Sequence, residues 1–218
     1  MDADGLAGEA LVYACAMSVE ERIARRLGPT VRLGLGAANG IPDEGRLVSF
    51  GIAGALRPGL EVGTVIDATR VVDEDGAVLW EGAPLGVEPA QRGTILGASR
   101  IIDDPAERAR MHESSGADAV DMESGPLARS GRLAGCIRAI SDTPDRELAG
   151  LAEGARANGD VDYLGLARGF LRAPRETARA ARDARRALKS LAEASLAMPI
   201  QRRGGLAAAP SNPGSNEG

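Results

Sequence analysis

Aromatic residues and histidine are scarce in this chain of 218 residues. Phe, Trp and Tyr together account for 2% of the residues, and His112 is the single histidine. Proteins that bind nucleic acid by base stacking need several exposed rings, so this composition argues against a nucleic-acid partner. One imidazole also argues against a metal site with histidine ligands, and the sequence contains no G-x-S-x-G or Walker motif. We therefore expect no metal and no tightly bound cofactor.

Cysteines and long apolar runs are equally limited. Cys15 and Cys136 lie in apolar segments without metal-ligand spacing, which is typical of reduced, buried thiols in a cytoplasmic protein. No apolar run approaches the roughly 20 residues that span a bilayer. The first apolar run follows the acidic MDADGLAGE, whereas an export signal begins with positive charge. We predict a cytoplasmic protein that is at most peripheral to a membrane.

Apolar segments rich in β-branched residues alternate with helical patterns along the chain. This alternation, in a chain long enough for one domain, predicts a single α/β domain with a mostly parallel central sheet flanked by helices. The predicted strands lie near residues 10–17, 31–35, 47–51, 64–72, 94–96, 119–122 and 135–140. The predicted helices lie near residues 18–27, 105–114 and 125–133.

The connection AANGIPDEGR, residues 37–46, is too short and too rich in Gly and Pro to contain a helix. The strands on either side of it are therefore antiparallel or non-adjacent, or a helix usual in such folds is missing there.

The C-terminal region is helical and basic. We divide the chain into a domain at 1–172, a basic helix at 173–201 and a disordered tail at 202–218. Eight basic and two acidic residues lie between Arg168 and Lys189, in a protein of net charge −5. The spacing of four and three places most of them on one side of the helix, either as a solvated face or as a surface for anionic membrane headgroups.

Acidic residues follow three of the predicted strands. Glu20 or Glu21 follows the first strand, Asp121 and Glu123 the sixth, and Asp142 the seventh. The carboxyl ends of parallel strands share one edge of a sheet, where ligands bind in α/β folds. The segment GLGAANG at 34–40 lacks the dinucleotide-loop spacing and a following helix, which favours a turn.

Three segments together resemble signatures of the purine nucleoside phosphorylase and nucleosidase superfamily, in the branch of the 5′-methylthioadenosine/S-adenosylhomocysteine nucleosidases. They are SFGIAGALRPGLEVGTVI (49–66), GADAVDMES (116–124) and RAISDTPD (138–145). The C-terminal VDYLGLARGFLRAP and ARDARRALKSL resemble the hopanoid-associated adenosylhopane phosphorylases. The resemblance covers roughly residues 10–200 and implies a nucleoside phosphorylase-like fold, a homo-oligomer and cleavage of a purine N-glycosidic bond.

The resemblance implies catalytic roles for two acids. Asp142 would protonate the departing purine at N7, and Glu20 would orient the nucleophile. From the residues alone, Ser141 or Asp142 could instead cap a helix beginning near Thr143, and Glu20 could be a solvated first-turn glutamate.

The resemblance also implies five residues that bind the substrate. Glu123 would accept hydrogen bonds from both ribose hydroxyls, Met122 would pack on the sugar and base, and the backbone of Ile102 would hold the purine. Ala53 and Gly54 would bring main chain close to the ribose. Core packing is the alternative for Met122.

The nucleophile stays open between water and inorganic phosphate as co-substrate. Ser49, Arg46 and Arg22 do not form an evident anion site in the sequence. We expect release of adenine from an adenosine with an apolar 5′ group, and the resemblance of the C-terminal segments implies adenosylhopane. The alternatives are a methylthioadenosine or adenosylhomocysteine nucleosidase and a non-catalytic relative that binds nucleosides.

Overall fold

The computed structural model describes residues 11–146 and 174–198, which form eight strands, four α-helices and one short 3-10 helix. The predicted tail at 202–218, with Arg168 and Arg172 of the basic region, lies outside the described residues. The strands are β1 (Leu11–Cys15), β2 (Thr30–Arg32), β3 (Arg46–Ala55), β4 (Val65–Val72), β5 (Val78–Glu81), β6 (Gln91–Gly97), β7 (Ala119–Asp121) and β8 (Leu133–Asp142). The helices are α1 (Ser18–Ala24), α2 (Pro105–Ser115), α3 (Ser124–Arg129) and α4 (Pro174–Ala197), and the 3-10 helix is Leu35–Ala37.

The strands form one mixed sheet in the order β2-β1-β3-β7-β6-β4-β5. Strand β8 pairs with both β3 and β4, so β3, β8, β4, β6 and β7 form a closed ring of paired strands. Within the described chain, five strand pairs are parallel and three are antiparallel. The predicted mostly parallel sheet with flanking helices is confirmed.

The short connection after β2 is explained by strand order. Strands β2 and β3 both pair in parallel with β1, one on each side of it, so they are not neighbours. The connection therefore passes over one strand and contains a single 3-10 turn at Leu35–Ala37 in place of an α-helix. The strands on either side of residues 37–46 are thus non-adjacent, and the structure has no α-helix in that connection, as the sequence predicted.

Local sequence signals fix the bounds of α2. Asp104 is the N-cap, and its carboxylate accepts hydrogen bonds from the amides of Ala106 and Glu107, while Pro105 takes the first helical position. Gly116 ends the helix in the left-handed conformation that glycine adopts without strain. The helix ends are thus set by residues whose chemistry suits those positions.

Helix α4 packs against the sheet. Ala187, Leu191 and Ala194 are buried in the core cluster that contains Phe50 of β3. The basic side chains of its outer face are exposed, namely Arg175, Arg179, Arg182, Arg185, Arg186 and Lys189. The predicted boundary after residue 172 stays a prediction, but the helix that follows it contributes to the core. No helix in the described part of the chain is long and apolar enough to cross a membrane.

Candidate active site

A cleft of about 150 Å³ opens where β3, β7 and β8 end. Six of the seven predicted site residues line this cleft: Ala53, Gly54, Ile102, Met122, Glu123 and Asp142. The pairing of strands brings them together, because Gly54 of β3 lies opposite Val120 of β7 on one side and Asp142 of β8 on the other. The convergence expected from sequence is therefore found, while the role of each residue stays a prediction.

Glu20 is the seventh predicted residue, and it lies behind the cleft wall. Its carboxylate accepts hydrogen bonds from the amide of Met17 and, at 2.9 Å, from the amide of Ile52, which lines the cleft. The side chain is buried, and this burial raises the pKa of Glu20 although Arg138 opposes the shift. Glu20 thus joins the β1–α1 turn to the strand that forms the cleft.

Glu21 faces away from this site. Its carboxylate forms an ion pair of 2.9 Å with Arg25, one helical turn along α1, and it is more exposed than Glu20. The sequence left the choice between the two glutamates open, and the structure directs Glu20 inward.

Arg138 is a central site residue that the sequence analysis missed. Its guanidinium contacts the carboxylates of Asp121 and Glu123, the latter at 3.7 Å, and donates a hydrogen bond of 2.6 Å to Ser49. The side chain is 1% exposed, so its charge has no water to stabilise it and depends on these partners. An arginine inside the apolar strand GCIRAI was the signal that could have revealed it.

Glycine at position 51 makes room for this cluster. A Cβ atom there would lie 2.5 Å from Arg138 Nη1 and 2.5 Å from Glu20 Oε1. Real Cβ contacts are not that short, so any other residue would displace one of the two charged groups. Gly51 therefore allows Glu20 and Arg138 to meet across β3, a requirement that the sequence analysis did not detect.

Asp121 supports the site by local hydrogen bonds. One oxygen of its carboxylate accepts from the Ser124 amide at 3.0 Å, and the other accepts from the Ser124 hydroxyl at 2.5 Å. It thereby accepts from the first amide of α3, whose N-cap is Glu123, while it pairs with Arg138. These contacts agree with a supporting position for Asp121.

Glu123 is a buried cleft carboxylate whose pKa is raised. Burial raises its pKa to about 7, the negative charges of Asp121 and Glu20 add to the effect, and Arg138 opposes it. Its Oε1 accepts a hydrogen bond of 2.9 Å from the Gly36 amide. The segment GLGAANG, which the sequence identified only as a turn, thus holds a predicted ribose-binding carboxylate.

Asp142 is paired with a second buried arginine, Arg108, which the sequence analysis also missed. Arg108 contacts Oδ2 of the Asp142 carboxylate, and Oδ1 accepts a hydrogen bond of 2.7 Å from the Ser141 hydroxyl. Residues 143–146 form a turn, so no helix begins at Thr143 within the described chain. The capping alternative for Asp142 finds no support there. Arg108 carried no clear sequence signal, because α2 has almost no apolar face to indicate which side is buried.

Comparison with known proteins agrees with this geometry. The sequence model of the phosphorylase superfamily matches residues 81–192, which is 112 of the 218 residues. The chain belongs to the phosphorylase superfamily. The match includes β6, β7, β8, most of α4 and the site residues Ile102, Met122, Glu123 and Asp142. A search of curated protein sequences gave no match.

Solved structures with the same fold share little sequence with this superfamily member. A nucleosidase (MTAN) from Chlamydia trachomatis bound to MTA superposes with a TM-score of 0.55 at 15% identity, covering 84% of this chain and 94% of that one. The 5′-methylthioadenosine/S-adenosylhomocysteine nucleosidase from Neisseria meningitidis gives 0.52 at 18% identity, with coverage of 84% and 97%. Futalosine hydrolase of Helicobacter pylori gives 0.51 at 15% identity, with coverage of 85% and 96%. At these identities the similarity establishes the fold.

The raised pKa of Glu123 predicts a pH-dependent stability change. Its folded-state pKa of about 7 exceeds the usual 4.5. Between these pH values the folded protein keeps a proton on Glu123 that the unfolded chain has released, so the free energy of unfolding falls as the pH rises through that interval. We expect Glu123→Gln, which cannot ionise, to raise the free energy of unfolding by about 1–3 kcal/mol at pH 8 and to change it little at pH 5. Denaturant titration at both pH values measures the effect.

The exposed Glu113 on α2 provides the matched control. Glu113→Gln should leave stability unchanged at both pH values. Equal effects of Glu123→Gln on the free energy of unfolding at pH 5 and pH 8 would contradict a raised pKa for Glu123.

Proposed function

We propose that this protein cleaves the N-glycosidic bond of a 5′-substituted adenosine and releases adenine. The observation that carries the proposal is the convergence of Glu123, Met122 and Asp142 on one cleft, with Glu20 and Arg138 buried directly behind it. Superfamily membership and the nucleosidase-like fold support the same class of reaction.

The two ends of the cleft suit the two halves of a nucleoside. At one end Glu123 offers two carboxylate oxygens, which matches a pair of ribose hydroxyls. At the other end Asp142 and Arg108 lie beside Ile102, where a purine would fit. Bond cleavage leaves positive charge on the ribose and negative charge on the base, so carboxylates near the sugar and a cation near the purine stabilise both.

The charge around the ribose end favours water over phosphate as the nucleophile. Three carboxylates, those of Glu20, Asp121 and Glu123, surround the single guanidinium of Arg138, and the hydroxyl of Ser49 already hydrogen-bonds to Arg138. A phosphate dianion placed there would be repelled. Arg46 begins β3 and lies roughly 20 Å from Ile52 at the usual rise of an extended strand. In this proposal Glu20, whose carboxylate lies directly behind Ile52 of the cleft wall, accepts the proton of the attacking water.

The identity of the 5′ substituent is the more specific part of the proposal. The sequence resemblance points to an apolar group such as hopane, and the exposed basic face of α4 would let the enzyme approach an anionic membrane that contains such a lipid. Leu196, which is 72% exposed, lies at the end of the same helix and could contact lipid. Homo-oligomer formation is expected on the same resemblance, and a cytoplasmic location on the cysteine pattern of the sequence.

An assay of adenine release tests the function directly. Substrates with a methylthio, a homocysteine and a long apolar 5′ group should be compared, each with and without phosphate. We expect release that does not depend on phosphate and that yields the 5′-substituted ribose in place of its 1-phosphate. Preference for the apolar substrate supports the hopanoid role, and preference for the short ones supports a methylthioadenosine or adenosylhomocysteine nucleosidase. No release from any nucleoside would leave the non-catalytic relative as the explanation.

The proposed role of Glu20 as the base that accepts the proton of water can be tested against its neighbour Glu21. We expect Glu20→Gln to lower kcat by about 10²- to 10⁴-fold, since loss of a general base has effects of that size. Adenine affinity should persist because Glu20 lies behind Ile52 and does not contact the purine end of the cleft. Glu21→Gln should keep kcat within about twofold, as a partly exposed ion pair contributes little. Equal kcat values for the two variants would refute the assignment of Glu20.

Membrane association can be tested without disturbing the core contacts of α4. Four exposed arginines of its outer face are replaced by glutamine: Arg175, Arg179, Arg182 and Arg186. The control removes the same charge from four exposed arginines elsewhere: Arg25, Arg70, Arg92 and Arg110. At about 1 kcal/mol for each basic residue, the α4 variant should bind phosphatidylserine vesicles about 10²-fold or more weakly in flotation. Equal binding of both variants would contradict the proposal.

A further inference from the structure

The turn after β2 forms part of the cleft wall at the ribose end. Leu35 lines the cleft, and the next residue, Gly36, lines a second cavity of about 530 Å³. Met122 lines both spaces, and a Cβ atom on Gly36 would lie 3.6 Å from Cε of Met122. The turn and Met122 thus separate the cleft from an open space beside it.

The cleft is too small for a whole nucleoside while this turn is in place. Pockets that bind small molecules usually enclose about 300–1,000 Å³, whereas the cleft has about 150 Å³. The proposed ribose carboxylate is also engaged, because the Gly36 amide donates to Oε1 of Glu123 at 2.9 Å, while Oε2 lies 3.7 Å from Arg138. A ribose that enters with two hydroxyls therefore competes with the turn for space and for Glu123.

The backbone of the turn is strained. Gly36 has a φ of 60° and Ala37 a φ of 61°, and among the described residues Ala37 is the one non-glycine residue with a positive φ. L-residues avoid this left-handed region because Cβ comes too close to the following carbonyl oxygen. Contacts of Ala37 with the core and of Gly36 with Glu123 hold the turn in this conformation. Strain of this kind is typical of ligand clamps and of segments that switch between two positions.

The chain is fixed on both sides of the turn. Leu33 is buried, and its amide donates a hydrogen bond of 2.8 Å to the carbonyl of Cys15. The amide of Asn39 donates one of 2.7 Å to the carbonyl of Leu33. Residues 34–38 lie between these anchors, and Gly34, with a φ of 73°, supplies a hinge that changes conformation without steric cost. The structure thus confines any movement of the turn to five residues.

We propose that residues 34–38 form a lid on the ribose end of the cleft, which swings toward the second cavity to admit a nucleoside. The hydrogen bond from Gly36 to Glu123 latches this lid in the closed position. The inference rests on the proposed function, because it concerns the entry of the same substrate. A free purine base needs the purine end alone and enters while the lid stays closed. Nucleosides and free bases therefore bind with different kinetics.

The first test compares association rates in the wild-type protein. 5′-Methylthioformycin is a fluorescent nucleoside whose carbon–carbon glycosidic bond is not hydrolysed, and 2-aminopurine is a fluorescent free base. In stopped-flow mixing, the observed rate for the nucleoside should level off at high concentration, where opening of the lid becomes limiting. The observed rate for 2-aminopurine should rise linearly over the same range. A linear rise for both ligands would overturn the inference.

The second test makes the closed lid less stable. Gly36→Ala places an alanine at a φ of 60°, and its Cβ atom meets Met122 at an ordinary contact distance of 3.6 Å, so backbone strain is the main effect. A left-handed alanine costs about 1–2 kcal/mol, which corresponds to about a 5- to 30-fold change in rate. The limiting rate for 5′-methylthioformycin should rise by this factor, and the rate for 2-aminopurine should not change.

Gly40 provides the matched control. It lies outside the lid with a φ of 85°, and a Cβ atom there would meet nothing within 4 Å among the described residues. Gly40→Ala therefore introduces the same kind of strain and should lower the free energy of unfolding to a similar extent. It should leave the limiting rate for 5′-methylthioformycin unchanged. An unchanged limiting rate in Gly36→Ala, or an equal increase in both variants, would overturn the inference.

The tests separate this inference from the proposed function. If Gly36→Ala does not fold, as judged by circular dichroism, the wild-type comparison of the two ligands decides. Adenine release from a nucleoside substrate, accompanied by a linear rate for 5′-methylthioformycin, would overturn the lid alone. Failure to bind either ligand would overturn both the inference and the proposed function.

Discussion

The buried guanidinium of Arg138 is the interaction on which the site depends. It stands on the central strand β8 and faces Glu20 from α1, Asp121 from β7 and Glu123 from the turn after β7. Each of these acids would be destabilised by burial without a nearby cation, and the arginine would be destabilised without the acids. Three segments distant in sequence are thereby held at one position. The cluster has more negative than positive charge. Burial raises the pKa of Glu20 and of Glu123, and for Glu123 the neighbouring carboxylates of Asp121 and Glu20 add to the shift.

Two glycines in β3 leave space beside that strand for two clusters of charged side chains. Gly51 leaves space for Glu20 and Arg138, and Gly54 leaves space for Asp142 and Arg108. The pairing of β3 with β8 shifts between Ala53 and Gly54, which brings Asp142 opposite Gly54 at the cleft. The ribose end and the purine end of the proposed substrate site are therefore positioned by the same ten-residue strand. A side chain at either glycine would disturb one end while leaving the other intact.

Much of the fold was predictable because its signals are local. Strand positions follow from short β-branched runs, and α2 is marked by the N-cap Asp104, by Pro105 and by Gly116. The path of the chain after β2 was not predictable in the same way. A ten-residue connection permits several arrangements, and only the pairing of β1 with both β2 and β3 selects one of them. The closed ring made by β8 likewise depends on long-range pairing that no local pattern specifies.

The amino-acid sequence by itself determined the α/β class, the superfamily motifs and the acids that end the strands, because each is written in residue types and spacings a few positions apart. The tertiary structure decided which groups surround those acids. It buried Glu20 and left Glu21 partly exposed, placed Arg138 among three carboxylates, and joined Arg108 to Asp142 across 34 positions of sequence. Protonation and hydrogen-bonding roles depend on burial and on neighbours in space, and both arise only when the chain has folded.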